Sequence, residues 1–228
     1  AARTGPEFLP LITALRPSVL THQPNPCRLL AYLIGHRYAI PGLITVFTHP
    51  PVRSFAATRF NGLHAYYLVD ANGTRQAFRY HWVPTVQGRR IVTKDDAALW
   101  PPQYLAEEMR QRLTQGPVRW NLLLDLAGAG DPTHDQTLRW PASRPAIKAG
   151  VLTITGEHPD QDAVERMVFD PAAVPPGIEC SDDPVLAYRS QVYRESHARR
   201  TRETRPVTDL LHDACPLGHD KPPASGSG

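Results

Sequence analysis

The stretch Val118–Leu126 most constrains what this chain can fold into. Val118, Trp120, Leu122, Leu124 and Leu126 recur at a two-residue period, which is the pattern of a strand with one face buried. A lone strand cannot satisfy its own backbone donors and acceptors, so the chain must build a sheet. A second piece of that sheet is written into residues 64–82, where HAYYLVD, then Ala71, Asn72, Gly73 and Thr74, then RQAFRYHW form a hairpin signal. Asn-Gly supplies the two positive-φ positions of a type I′ turn. With Asn72 and Gly73 at the tip, Leu68 faces Ala77, Tyr66 faces Arg79 and His64 faces His81,. One face then carries His64, Tyr66, Leu68, Ala77, Arg79 and His81, and suits a binding cavity or the solvent side of an antiparallel sheet equally well.

The remaining elements are read around this sheet. Residues 6–16 and 26–38 predict two short helices with proline as a start signal,. Residues 41–60 read as an irregular connection, with a strand edge at 54–60. Thr93 with Asp96 resembles a capping box. The helical region it opens is interrupted at Trp100, Pro101 and Pro102, continues through Leu105, Met109 and Leu113, and stops at Gly116,. A loop at 128–140, a strand at 147–155, a short helix at 160–167 and a disordered tail at 206–228 complete the order,. The 24 prolines imply long connections between elements,. The fold class expected from this order is α+β, with an antiparallel sheet or part of a barrel.

Composition narrows the function classes. A chain of 228 residues with 41% hydrophobic and 21% charged residues is globular, and a net charge of +3 with basic residues dispersed outside 199–205 argues against a nucleic-acid partner,. Cys27, Cys180 and Cys215 are an odd set with no CxxC, which fits neither a disulfide framework nor a zinc site,. No apolar run reaches the length of a membrane span and no signal-peptide pattern opens the chain. A soluble protein of the cytoplasm or periplasm is therefore expected. The first residue is Ala1, which fits a processed product or a fragment of a longer reading frame.

The most unusual chemistry lies in residues 181–200, SDDPVLAYRSQVYRESHARR. Asp183 as N-cap and Pro184 at the first helical position predict a helix start. Leu186, Arg189, Tyr193, His197 and Arg200 then share one face,. An arginine one turn before a tyrosine can donate a charge-assisted hydrogen bond to the phenolic oxygen and favour the anion. Tyrosinate is a ligand for haem iron. The same spacing also suits an amphipathic helix with a half-buried tyrosine and solvated arginines.

Several blocks in order settle the comparison in favour of chemistry. RYHWVPTVQG at 79–88, DPTHDQTLRWP at 131–141 and FDPAAVPPGIECSDDPVLAYRSQVY at 169–193, with the run to Arg200, resemble the haem catalases, and within them the small catalase-related peroxidase branch. The resemblance implies part of a catalase-like antiparallel β-barrel with flanking helices over residues 1–205. It implies haem as cofactor, Tyr193 as the iron ligand, Arg189 as its hydrogen-bond partner, Arg200 at a haem propionate and His197 beside the haem. It also implies a relay in which Asp183 and His81 support Arg189, the logic by which outer groups orient a metal ligand. Arg194, Glu195 and Ser196 stand where the family often has Pro-Asp-Thr, a departure that favours the small branch.

By this resemblance the protein is a haem peroxidase or catalase acting on hydrogen peroxide, reduced by a second peroxide or an organic donor, and homo-oligomeric when complete. The histidine that the family uses on the opposite face of the haem has no counterpart among the ten histidines, so the catalytic residue is unassigned. The chain reads as the C-terminal, iron-holding half, and a haem-binding fragment without turnover is the alternative. Two other sites can be drawn from residues alone: a cross-strand metal pair of His64 and His81 with Tyr66, and Cys215-Pro216 with His219,.

Overall fold

A computed structural model describes residues 3–18, 24–86 and 91–202. The expected tail at 206–228, with Cys215 and His219, lies outside the described residues.

Three helices come first: α1 (Gly5–Leu15), α2 (Pro26–Gly35) and α3 (Ile40–Thr48). Asn25 caps α2 by accepting from the backbone N–H groups of Cys27 and Arg28,. Helix α3 occupies a segment expected to be irregular. Its sequence IPGLITVFT is rich in β-branched residues and carries proline and glycine early, which hides a helix from propensity,. Pro41 sits in the first turn, where its missing N–H costs nothing, and Leu43 supplies the buried contact. Leu11, Ala14, Tyr32, Ala39 and Leu43 make a helical core of their own.

The strands are β1 (Phe60–Asn61), β2 (Tyr66–Val69), β3 (Arg75–Pro84), β4 (Val118–Leu126), β5 (Ala146–Ile154) and β6 (Ile178–Cys180). They form one antiparallel sheet in the order β5-β4-β3-β2-β6, with β1 also paired to β3. Among the described residues the sheet does not close on itself. The alternating stretch 118–126 is β4, an interior strand paired on both sides, as its pattern required. The strand expected at 147–155 is β5, and the strand edge expected at 54–60 shrinks to β1.

The hairpin forms with a different register. Tyr66 pairs with Phe78, Tyr67 with Ala77 and Leu68 with Gln76. The cause is Asp70, whose Oδ1 accepts from the backbone N–H of Asn72 at 2.9 Å and of Thr74 at 2.8 Å. Asp70 N–H also donates to the Thr74 carbonyl at 3.1 Å, so the loop holds Ala71, Asn72 and Gly73, with Gly73 at positive φ (+80°). A three-residue loop closed by a left-handed glycine replaces the two-residue turn. A slip of one residue exchanges the faces of one strand relative to the other. Tyr66 therefore shares a face with Phe78, Tyr80 and Leu124, and Arg79 and His81 point to the other side.

The face carrying Tyr66 is covered in two places. Toward one end, Tyr66, Phe78, Leu124 and Leu186 are buried together, Leu186 coming from the last helix, α7 (Pro184–Arg202). Toward the other, Val118 and Trp120 pack with Met109 and Leu113 of α5 (Tyr104–Gln115). Two short helices, α4 (Lys94–Ala98) and α6 (Gln161–Glu165), are capped by Thr93 and Asp160 accepting from the N–H of Asp96 and Ala163. The helical core meets the sheet through α1 and α7, where Gly5 lies directly against the ring of Tyr188.

Candidate functional site

Helix α7 starts where the sequence places it. Asp183 Oδ1 accepts from the backbone N–H of Val185 at 2.8 Å, a cap at the second helical position. The other carboxylate oxygen, Oδ2, lies 2.8 Å from His64 Nδ1, and the two side chains are 1% and 3% exposed. A carboxylate oxygen accepts, so the His64 Nδ1–H is the donor. One buried aspartate thus fixes both the helix start and a histidine that precedes β2.

This corrects the expected relay. Asp183 is bound to His64 and not to His81. His81 is on the opposite sheet face, where its Nδ1 lies 2.9 Å from Asp125 Oδ2 on the neighbouring strand. The physical reason is the register: with the three-residue loop, His81 lies across from Asn61 of β1, while His64 and Tyr66 turn toward α7. The cross-strand pair of His64 and His81 does not form for the same reason. Among the described residues no group of three or more His, Cys, Asp or Glu side chains is arranged to hold a metal ion.

Tyr193 and Arg189 are brought together. Arg189 Nη2 donates to Tyr193 Oη at 2.6 Å, and its guanidinium carbon is 5.3 Å from the ring centroid. Tyr193 is half-buried. Arg189 also acts on Tyr66, two residues from His64. Burial pushes the Tyr66 phenol up to about 12, and the nearby Arg189 guanidinium opposes that rise. The Tyr66 hydroxyl donates to the Pro171 carbonyl at 3.0 Å.

The other two predicted residues face a segment that runs beside α7. His197 Nε2–H donates to the Arg166 carbonyl at 2.7 Å. Arg200 Nη1 donates to the Glu165 carbonyl at 3.1 Å and pairs with Glu165 Oε2 at 3.2 Å. Nearer the sheet, Ser190 Oγ donates to Asp170 Oδ1 at 2.5 Å. Sequence reasoning left Asp170 and Ser190 without a role, and gave Tyr66 one only in the cross-strand metal pair that does not form. Asp170 and Ser190 are joined by no local spacing and carry no periodic signal.

In chemical terms the arrangement is a half-buried phenol whose oxygen accepts from a guanidinium. That donor set fits an iron already held in a flat organic ligand, since one protein oxygen is offered and, among the described residues, no group of three or more metal-binding side chains is arranged to hold an ion by itself. A carboxylate–imidazole pair lies at the root of the same helix.

Comparisons with known proteins show which proteins the chain as a whole is similar to. A family model described as Catalase matches residues 2–208. A catalase-related peroxidase from Mycolicibacterium paratuberculosis is 36% identical over 198 residues, covering 85% of this chain and 61% of that protein. One from Synechococcus elongatus is 31% identical over 196 residues, covering 86% and 58%. The chain therefore spans about three fifths of the length of these curated relatives. Among solved structures, catalase A from Saccharomyces cerevisiae superposes with a TM-score of 0.76 at 20% identity, covering 86% of this chain and 43% of that one.

Proposed function

We propose, since this chain belongs to the catalase family, that it forms the iron-holding side of a haem-dependent peroxidase or catalase acting on hydrogen peroxide. The observation that carries the reading is the 2.6 Å hydrogen bond from Arg189 to Tyr193 Oη. It lies on a helix whose N-terminus is fixed by the buried Asp183–His64 pair. Haem, when bound, supplies the iron at which a peroxide bond is cleaved. Tyr193 is the residue that would hold that iron, because a phenolate is a strong anionic donor to ferric iron. Arg189 keeps the phenolic oxygen oriented and balances its charge.

The supporting pair is reassigned from His81 to His64. His64 and Asp183 are both buried, and the Asp183 cap fixes the first turn of the helix that carries Arg189. Arg200 and His197 remain the residues for a propionate and for the edge of the cofactor. Arg200 would share its guanidinium between a propionate and Glu165, its partner in this structure.

Haemin titration of the chain tests the ligand. The wild type should give the absorption of a tyrosinate-ligated ferric haem, and Tyr193→Phe should lose it. An unchanged spectrum in the variant would remove Tyr193 from the role. A second reading is a haem-holding chain without turnover, because none of the ten histidines matches the one the family uses on the opposite face of the haem. Hydrogen peroxide consumption by the haem-loaded chain separates the two: turnover by this chain alone rules the second out.

A further inference from the structure

We infer that Asp170 is a positioning residue for Tyr193: with Ser190 it clamps the segment 165–172 along α7 and orders the turns of the helix that carry the tyrosine. The inference rests on the reading of Tyr193 as the iron ligand, and it begins from where α7 is held. The buried residues of α7 are Val185, Leu186 and Ser190. All lie in its first two turns. From residue 191 onward the helix has no buried side chain and so no core contact to set its rotation about its own axis. A helix of this length has little stability of its own in water without packing. Tyr193 lies in this part.

Polar contacts take over where packing stops. Ser190, itself 7% exposed, donates to Asp170 Oδ1 at 2.5 Å. Arg194, one turn on, brings Nη1 to 4.0 Å from Asp170 Oδ2. His197 and Arg200 follow, bound to Arg166 and Glu165 at 2.7 Å and 3.1 Å. Positions 190, 194 and 197 are spaced three or four apart and form one stripe beside Tyr193. The segment they grip is fixed in turn to the sheet, because Tyr66 Oη donates to the Pro171 carbonyl at 3.0 Å. Asp170 also closes its own turn by accepting from the Ala172 N–H at 2.9 Å. A continuous path therefore leads from the buried sheet residue Tyr66 through Pro171 and Asp170 to Ser190, three residues before Tyr193.

Of these contacts, the one between Asp170 and Ser190 is the clamp. Of the polar contacts that α7 itself makes with this segment it is, among the described residues, the shortest and the only part-buried one, and its acceptor is a carboxylate, so it is the strongest of them,. The contacts of Arg194 and Arg200 are exposed and contribute little each.

Two readouts test the clamp on the full chain with Asp170→Ala, Ser190→Ala and the hydroxyl-retaining Ser190→Thr. Amide hydrogen exchange without haem should speed up about tenfold or more over residues 191–202 in both alanine variants, the scale of one charge-assisted hydrogen bond. Residues 118–126 should keep wild-type exchange, which also shows that the variants fold. Haemin titration should show the tyrosinate absorption weakened or broadened in the alanine variants and restored in Ser190→Thr. Unchanged exchange over 191–202 overturns the clamp whatever haem does. Faster exchange with an unaltered haem spectrum overturns the positioning role, provided Tyr193→Phe abolishes that spectrum. If Tyr193→Phe leaves the spectrum unchanged, the ligand reading fails instead, and the clamp stands or falls on exchange alone.

Discussion

Asp183 makes one carboxylate serve two buried contacts, a helix cap and a histidine. Removing one partner from a buried pair leaves the other desolvated without compensation, which costs about 3–5 kcal/mol. Asp183→Ala is therefore expected to lower stability by that amount in urea unfolding. Asp125→Ala, whose carboxylate is 34% exposed beside His81, should cost less, about 1–3 kcal/mol, the cost of an unmade hydrogen bond at a buried imidazole. Equal losses, or the reverse order, would contradict the assignment of His64 as the partner of α7. At this scale the sequence was informative where spacing is local. Arg189 and Tyr193 are four apart on one helix, and Asp183 and Pro184 announce its start, so all four could be placed from the chain alone. The choice between His64 and His81 was not local. It depended on whether the Asp70 side chain closes a three-residue loop or Asn72-Gly73 closes a two-residue one, and both turns suit the same dipeptide.

Helix α7 and its neighbours show the same division between local and distant signals. Its first turns carry apolar residues for the core and could be read as helix. Its later turns are held by Glu165 and Arg166 at the end of α6 and by Asp170 in the loop that follows, and sequence periodicity does not say that these approach α7. Asp170 gives this contact a pH signature. The hydrogen bond from Ser190 Oγ, and then that from the Ala172 N–H, hold its carboxyl below the usual aspartate range. A group depressed in the folded state contributes stability above its unfolded-state value of about 3.9 and loses it as the pH falls further. Loosening of residues 191–202 should therefore set in as the pH drops below about 4, and Asp170→Asn should flatten that part of the acid profile. An acid profile identical in wild type and variant would contradict it. Helix α1 reaches α7 only through close approach, since a Cβ on Gly5 would fall within the ring of Tyr188. Gly5→Val should cost about 1–3 kcal/mol by overpacking and detach the N-terminal helices from the sheet, seen as faster exchange in α1 with β4 unchanged.

The whole molecule is an α+β fold in which one antiparallel sheet carries α5 and α7 on one face and a separate helical core stands beside it. This class was legible from the alternation of Val118–Leu126 and the hairpin of residues 64–82. Helix α3 was missed because proline, glycine and β-branched residues suppress its local signal. Among the described residues no single helix is long and apolar enough to cross a membrane. The sheet places its buried tyrosine, Tyr66, between the anchored loop and the root of α7, so that fold and site meet at one side chain. The claim that organises these observations is that α7 presents Tyr193 to iron. Resonance Raman spectroscopy of the haemin-loaded chain tests it most directly. Tyrosinate ring and iron–oxygen modes should appear in the wild type and vanish in Tyr193→Phe. If the same modes persist in the variant, or are missing from a wild type that has bound haemin, the central claim is wrong.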